Sequence, residues 1–437
     1  MPQVECEIER IQQGSSYTIK FSLGEPGLVW MLSDDSRVGP YGFSDTSLDL
    51  LTVAFCIFHI EKLLHKNLLT NPPKKYTLTV PMYQPEKWRQ PQVTQALQQL
   101  LTCLDDAEWE FIFKPNDQTL KPKLNIETNA DVSIKQIALF SGGMDSTCGV
   151  ATISSEERKA TRYVSYYTRQ YTAQNNILKD LGISDPSALT SFYSRCKTVV
   201  VENKEKITER KNTNKSFYYR SFLFMSLGAV IADSWQCRHL IQFENGILAN
   251  AVSPTPAILM TKHAHPILHE YFTQLLSNLY DSTWTLKNPF VFNTKNEIHQ
   301  FALDVCPKFN DILIKAETCW YHYANHALVG KKNANRPCGI CIPCIIRLTA
   351  DSNYSSICEI DILDKSVQID AKKGFAFRSY QGFAERINVC KDKNDFYLRV
   401  LDSNTRELIA SGWSVNYQSL YDVYKRFSNE FIQTFPK

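Results

Sequence analysis

The run Gln-Ile-Ala-Leu-Phe at residues 136–140 stops at Ser-Gly-Gly, passes through Asp145 and Ser146, and resumes as a helix-like stretch. A turn that only reversed the chain would need one glycine. Gly142 and Gly143 in succession remove two side chains, so backbone N–H groups can converge on an anion. A helix starting near Ser146 adds the partial positive charge of its N-terminus. Ser141 and Ser146 can donate hydroxyl hydrogen bonds. Asp145 suits such a cradle only if it holds a cation or orients a donor. No lysine follows the glycines, which excludes the GxxxxGK[ST] phosphate loop.

This turn opens a series in which strands and helices alternate. Short apolar runs at 162–168, 197–202 and 238–244 read as further strands, and 218–235 reads as a helix apolar nearly all round. Alternation of this kind predicts a parallel sheet covered on both faces, with ligands beyond the carboxyl ends of its strands. Glu244 and Asn245 end the fourth strand, where they either contact substrate or cap the next element. Residues 1–130 predict an N-terminal α+β domain, with strands at 16–23 and 74–83 and helices around 48–66 and 91–104. The polar stretch 114–133 marks the boundary to a second domain, 131–350. In 351–437, alternation at 374–383, 395–402 and 408–415 predicts strands, followed by a helix over 418–435, hence a C-terminal α+β appendage.

The formal net charge of the 437 residues is only +3, so no global basic field points to nucleic acid. The longest apolar run, 48–64, carries Asp49 and His59 and predicts a core helix rather than a membrane span. The first residues lack the basic and apolar segments of a secretory signal, so a cytoplasmic protein is expected. The basic run 202–220 reads as a solvated loop, or as one that closes over a ligand or partner. Tyr166 and Tyr167 alternate within a strand as core residues do, with base stacking as the other reading.

The chain has 13 cysteines, most of them isolated. Four are not. Cys338-Gly-Ile-Cys341 forms a thiolate knuckle whose glycine lets both sulfurs face one ion, Cys344 adds a third, and Cys319 arrives from upstream. Four thiolates suit tetrahedral Zn²⁺, with an iron–sulfur cluster as the rival. Four protein ligands leave no open position, so the site reads as structural. His263, His265 and His269 have metal-like spacing and read more simply as rim residues.

The Ser141–Thr147 stretch, SGGMDST, resembles the SGGxDS pyrophosphate loop of the PP-loop ATP pyrophosphatases. Together with ETCWY, CGICIPCIIR and its Arg347, it resembles QueC, the 7-cyano-7-deazaguanine synthase, over about residues 135–350. Arg220, opening the apolar helix, and Thr294, Lys295 and Glu297 in FNTKNEI are similar to further segments of that family. The resemblance implies a PP-loop (adenine-nucleotide alpha-hydrolase-like, HUP) α/β core, with a zinc-binding C-terminal segment and flanking α+β additions. It implies an ATP site at Phe140, Ser141, Gly142, Gly143, Met144, Asp145, Ser146 and Thr147, Mg²⁺ positioned by Asp145, and catalytic roles for Asp145, Arg220 and Lys295. QueC uses ATP and ammonia to turn 7-carboxy-7-deazaguanine into an amide and then a nitrile. The enlarged chain also resembles QatC, the QueC-like component of Qat antiphage defence. That likeness implies attachment of a deazaguanine to a partner protein from the same operon. The flanking additions suit partner docking and equally a homodimer interface. A tRNA-modifying PP-loop enzyme and a non-enzymatic scaffold are the rival classes.

Overall fold

The computed structural model describes residues 2–9, 16–25, 27–67, 75–105, 107–116, 124–128, 133–166, 171–197, 199–202, 205–207, 218–258, 260–320, 336–410 and 413–436. Tyr167 and most of the basic run 202–220 lie outside these residues.

Among the described residues, twelve strands form two sheets. The first is mixed and runs β10 (Glu205–Ile207), β9 (Val199–Glu202), β2 (Ser16–Ser22), β1 (Gln3–Glu9), β4 (Lys75–Met82), β5 (Glu108–Pro115). Only its β4–β5 pair is parallel. The second sheet runs β12 (Thr285–Lys287), β11 (His239–Gln242), β6 (Gln136–Leu139), β7 (Thr161–Tyr166), β8 (Leu189–Cys196), β3 (Leu28–Leu32). All its pairs are parallel except β3–β8. The sheets thus exchange strands: β3 from the N-terminal segment edges the parallel sheet, while β9 and β10 extend the mixed one.

Helices of seven residues or more are α1 (Asp45–Asn67), α2 (Pro91–Leu104), α3 (Met144–Thr152), α4 (Tyr171–Asp180), α5 (Arg220–Ser234) and α6 (Pro266–Tyr280). They continue with α7 (Lys295–Val305), α8 (Ile342–Leu348), α9 (Phe375–Asn388), α10 (Lys393–Arg399), α11 (Ser403–Ala410) and α12 (Tyr417–Thr434). As its composition requires, α5 is buried nearly all round, between the parallel sheet and α1. Among the described residues no helix is long and apolar enough to cross a membrane.

Two sequence expectations need correction. The run at 197–202 is not a strand of the parallel sheet; it pairs antiparallel with β2, and the third parallel strand is β8 instead. A valine-rich run favours strand, but its partner is set by tertiary pairing. Of the strands expected in the C-terminal appendage, 374–383 and 395–402 fall mostly in helices α9 and α10, and residues 408–410 of the third close helix α11. Over a longer window the apolar positions of α9, Phe377, Tyr380, Phe383, Ala384 and Ile387, follow the helical period, and all are buried. Asp392 caps α10 by accepting from the N–H groups of Asn394 and Asp395. The alternation read at shorter range was accidental.

The buried apolar residues form three clusters. The largest joins the N-terminal sheet and α1 to α5 and α6. A second lies under the glycine turn, around Phe140, Met144, Cys148, Ile298 and Phe309. The third packs the cysteine segment against α9, α10 and α12. Gly382 lies inside α9, where an added Cβ would meet only Arg386 Nη1, at 3.7 Å. Gly382→Ala therefore stabilises the fold by about 0.5–1 kcal/mol in chemical denaturation; a loss of stability would contradict the helix.

Candidate active site and metal centre

The glycine turn sits where β6 ends and α3 begins, at the carboxyl edge of the parallel sheet. Gly142 has φ +76°, and a Cβ there would fall 2.8 Å from Gln174 Cγ, so conformation and space both demand glycine. Gln174, on α4, donates from Nε2 to the Ser141 carbonyl at 2.9 Å. The Glu317 N–H donates to the Gly142 carbonyl at 3.1 Å. The Ser141 and Ser146 hydroxyls lie 3.1 Å apart, and Thr147 Oγ1 donates to the Gly143 carbonyl at 2.8 Å. Phe140 and Met144 are buried beneath the turn. Carbonyls thus bond backward into the fold, and the turn stands at the start of α3 with Ser141 exposed. Cys148 is fully buried, and that burial pushes its thiol up, as for a packing residue.

Asp145 lies in the first turn of α3, and Lys295 is the first residue of α7. The Lys295 side chain is fully buried, with Nζ 2.6 Å from Asp145 Oδ2. Asn245 Nδ2 donates to the same oxygen at 3.2 Å. Asp145 Oδ1 is buried without a hydrogen-bond partner among the described residues. Burial raises the Asp145 pKa against the pull of Lys295, and the Glu244 carboxylate raises it further. A buried acceptor in that state suits a cation or a donor group arriving with a ligand.

Of the two readings the sequence left open for Asn245, the structure bears out the cap. Its Oδ1 caps the short helix Gly246–Ala249 through the N–H groups of Ile247 and Leu248. Its Nδ2 also donates to Glu244 Oε1 at 3.0 Å. Glu244 Oε2 accepts from His263 Nε2 at 2.9 Å. Burial opposes ionisation of Glu244, but His263, the Asp145 contact and Lys295 outweigh it and lower its pKa. Arg220, at the start of α5, is exposed, with its guanidinium 5.9 Å from the Phe224 ring and within reach of the charges on Glu61 and Glu244. Asp145, Lys295, Asn245, Glu244 and Arg220 therefore share one electrostatic neighbourhood at the strand ends.

His263 was legible only as one of three histidines, and the three do not converge. His265 caps α6 with its ring 4.4 Å from that of Trp413, and His269 Nε2 meets Gln242 Oε1 at 3.0 Å. Tyr166 bonds Ser194 through its hydroxyl and stacks on Phe224. No sequence motif marked Gln174, and Glu317 stood out only as the first residue of ETCWY. A cleft of about 680 Å³ opens beside the turn, lined by Thr172, Asn176, Ile314, Glu317, Thr318 and Ile357 among others, a size typical of small-molecule sites.

The four clustered cysteines, Cys319, Cys338, Cys341 and Cys344, are all buried with their ligand atoms within 4.8 Å of one another. Zn–S bonds near 2.3 Å in a tetrahedron put sulfurs about 3.8 Å apart. Cys341 Sγ lies 3.9 Å from Cys319 Sγ and 3.4 Å from Cys344 Sγ, and Cys338 Sγ lies 4.0 Å from Cys344 Sγ. The donor set fits the ion. Gly339 turns the knuckle at φ +80°, where a Cβ would strike the Ile360 carbonyl. Behind the cluster, buried Arg347 donates to the carbonyls of Ala316 and Leu313 and lies 4.0 Å over the Tyr354 ring. It thereby fastens the segment leading to Glu317, and with it one wall of the glycine turn, to the metal unit.

Cys338→Ser and Cys344→Ser should each strip zinc from the purified protein, read by elemental analysis, and cost several kcal/mol of stability. Cys358→Ser should leave the ion in place, because that thiol is spent on the Tyr354 carbonyl at 3.2 Å. Full zinc content in the first two variants would contradict the assignment.

No curated protein matches the chain. The family model described as "Queuosine biosynthesis protein QueC" matches residues 135–355, which span the glycine turn, the Asp145–Lys295 pair and all four cysteines. That is just over half of the sequence, and the chain belongs to the QueC family.

Proposed function

We propose that the protein uses ATP to activate the carboxylate of a 7-deazaguanine and joins the activated carbon to an amine. The observation that carries this reading is the buried Lys295–Asp145 pair set against the Ser141–Thr147 turn. The backbone N–H groups of the turn and the hydroxyls of Ser141 and Ser146 bind the β- and γ-phosphates. Lys295 and Arg220 offset charge that builds up as the α-phosphate transfers. Asp145 Oδ1, the orphaned oxygen, is the protein's ligand for Mg²⁺, which usually takes one or two carboxylates plus substrate phosphates. When bound, that ion neutralises phosphate charge.

A carboxylate oxygen attacks the α-phosphorus and pyrophosphate leaves. The amine nitrogen then attacks the acyl carbon, the bond to AMP breaks, and the amine's proton passes to a base at the rim, where Glu244 and Asn245 meet the substrate. AMP is a far better leaving group than oxide, so amide formation proceeds.

We further propose that the amine is the N-terminus of a partner protein, within an antiphage defence system. The support is the large additions on both sides of the family match. A free-standing nitrile synthase would use ammonia instead.

Pyrophosphate release with carboxydeazaguanine tests the chemistry. Asp145→Ala and Lys295→Ala should each lower it by about 100-fold or more, the loss expected for groups acting on transition-state charge. Undiminished turnover in either would overturn the assigned site. Intact mass spectrometry of co-expressed neighbouring proteins tests the acceptor: a deazaguanine-sized addition supports conjugation, and free nitrile with unmodified neighbours opposes it.

A further inference from the structure

The C-terminal helix α12 lies wholly outside the family match, yet it reaches both sides of the catalytic cluster. Its apolar stripe, Leu420, Val423, Tyr424, Phe427 and Phe431, is buried against α9 and the cysteine segment. That stripe would suffice for packing. The helix carries more. Arg426 and Glu430, four residues apart and so on one face, both engage the first turn of α7. Arg426 Nε donates to Glu297 Oε1 at 2.5 Å, and Nη2 donates to the Phe292 carbonyl at 2.8 Å. Glu430 Oε1 accepts from Thr294 Oγ1 at 2.7 Å. Thr294 and Glu297 are the two members of the α7 capping box, and Lys295 lies between them.

The same helix holds the other half of the cluster. Tyr424 donates its hydroxyl to the Ile247 carbonyl at 3.2 Å and accepts from the Val252 N–H at 3.3 Å. Val423 abuts Gly246, where an added Cβ would sit 3.1 Å from Val423 Cγ2. Gly246 directly follows Glu244 and Asn245.

We infer that α12 is a positioning element for the active site: Arg426 and Glu430 set Lys295 through its capping box, while Tyr424 sets the Glu244–Asn245 turn. The inference rests on the proposed role of Lys295. A buried ammonium 2.6 Å from its carboxylate has little freedom, and its direction follows the first turn of the helix that bears it. Moving the capping box moves the ammonium.

The test compares Arg426→Ala and Glu430→Ala with the conservative Arg426→Lys and Glu430→Gln, all in the full chain. Two readouts are taken. The first is the steady-state kinetics of pyrophosphate release. The second is acylation of Lys295 by a lysine-directed reagent, followed by mass spectrometry alongside amide hydrogen exchange. The alanine variants should lower kcat at least tenfold with KM for ATP within about threefold, and raise the Lys295 acylation rate at least tenfold. Exchange should quicken only over 292–298 in these variants, and only over 245–252 in a Tyr424→Phe variant. Glu430→Gln keeps the acceptor for Thr294 and should stay near wild type, and Arg426→Lys should recover part of kcat. Unchanged Lys295 protection overturns the inference, as does exchange that quickens equally in α1 and α5, the mark of general destabilisation. A wild-type protein with no pyrophosphate release sinks the proposed reaction instead, and Lys295 protection still decides the role of α12.

Discussion

The site depends on one buried ion pair, Lys295 with Asp145. Taking an ammonium and a carboxylate out of water costs several kcal/mol per ion, and only close contact and further hydrogen bonds offset it. Here the contact is direct, Asn245 adds a second donor, and one Asp145 oxygen is left over. The pair comes from three pieces of chain far apart in sequence. β6 delivers Asp145 through the glycine turn, the neighbouring strand β11 ends at Gln242, shortly before Asn245, and α7 supplies Lys295. The parallel pairing of β6 and β11 lets those ends meet. Replacing such a pair by apolar residues is often neutral or stabilising, so fold stability alone does not account for it.

The additions around the family core are built into it. β3 pairs with β8, β9 pairs with β2, and the largest apolar cluster runs through both sheets. The C-terminal helices share a core with the metal-binding cysteines. Arg347 ties that unit to the segment carrying Glu317, whose N–H fixes the Gly142 carbonyl. Mechanical continuity therefore runs from the cysteine cluster to the glycine turn, and from α12 to Lys295.

Features whose chemistry is local were legible in the sequence. Two glycines after an apolar run announce a strand that turns tightly into a helix, and the spacing Cys-Gly-Ile-Cys-Ile-Pro-Cys announces thiols gathered closely enough to hold one ion. The buried helix α5 was equally plain from its unbroken apolarity. Features set by distant partners were not legible. Nothing in Val199–Glu202 says that it joins a sheet begun at residue 3. Phe375 to Phe383 alternates well enough to pass for a strand, and only the longer helical period, with burial on one face, separates the two. His263 read as one of three rim histidines, and nothing in the sequence paired it with Glu244, 19 positions away. Arg426 and Glu430 carry no motif at all, because their meaning lies in a capping box more than 125 residues upstream.

In the proposed reaction the bend from Ser141 to Thr147, with Lys295 beside it, clasps a nucleoside triphosphate. A crystal structure with an ATP analogue whose α,β-bridge cannot be cleaved tests it most directly. The β- and γ-phosphates should lie on the N–H groups of Gly142 and Gly143, with the α-phosphate facing Lys295. Nucleotide bound elsewhere on the chain, with the bend bare, would contradict it.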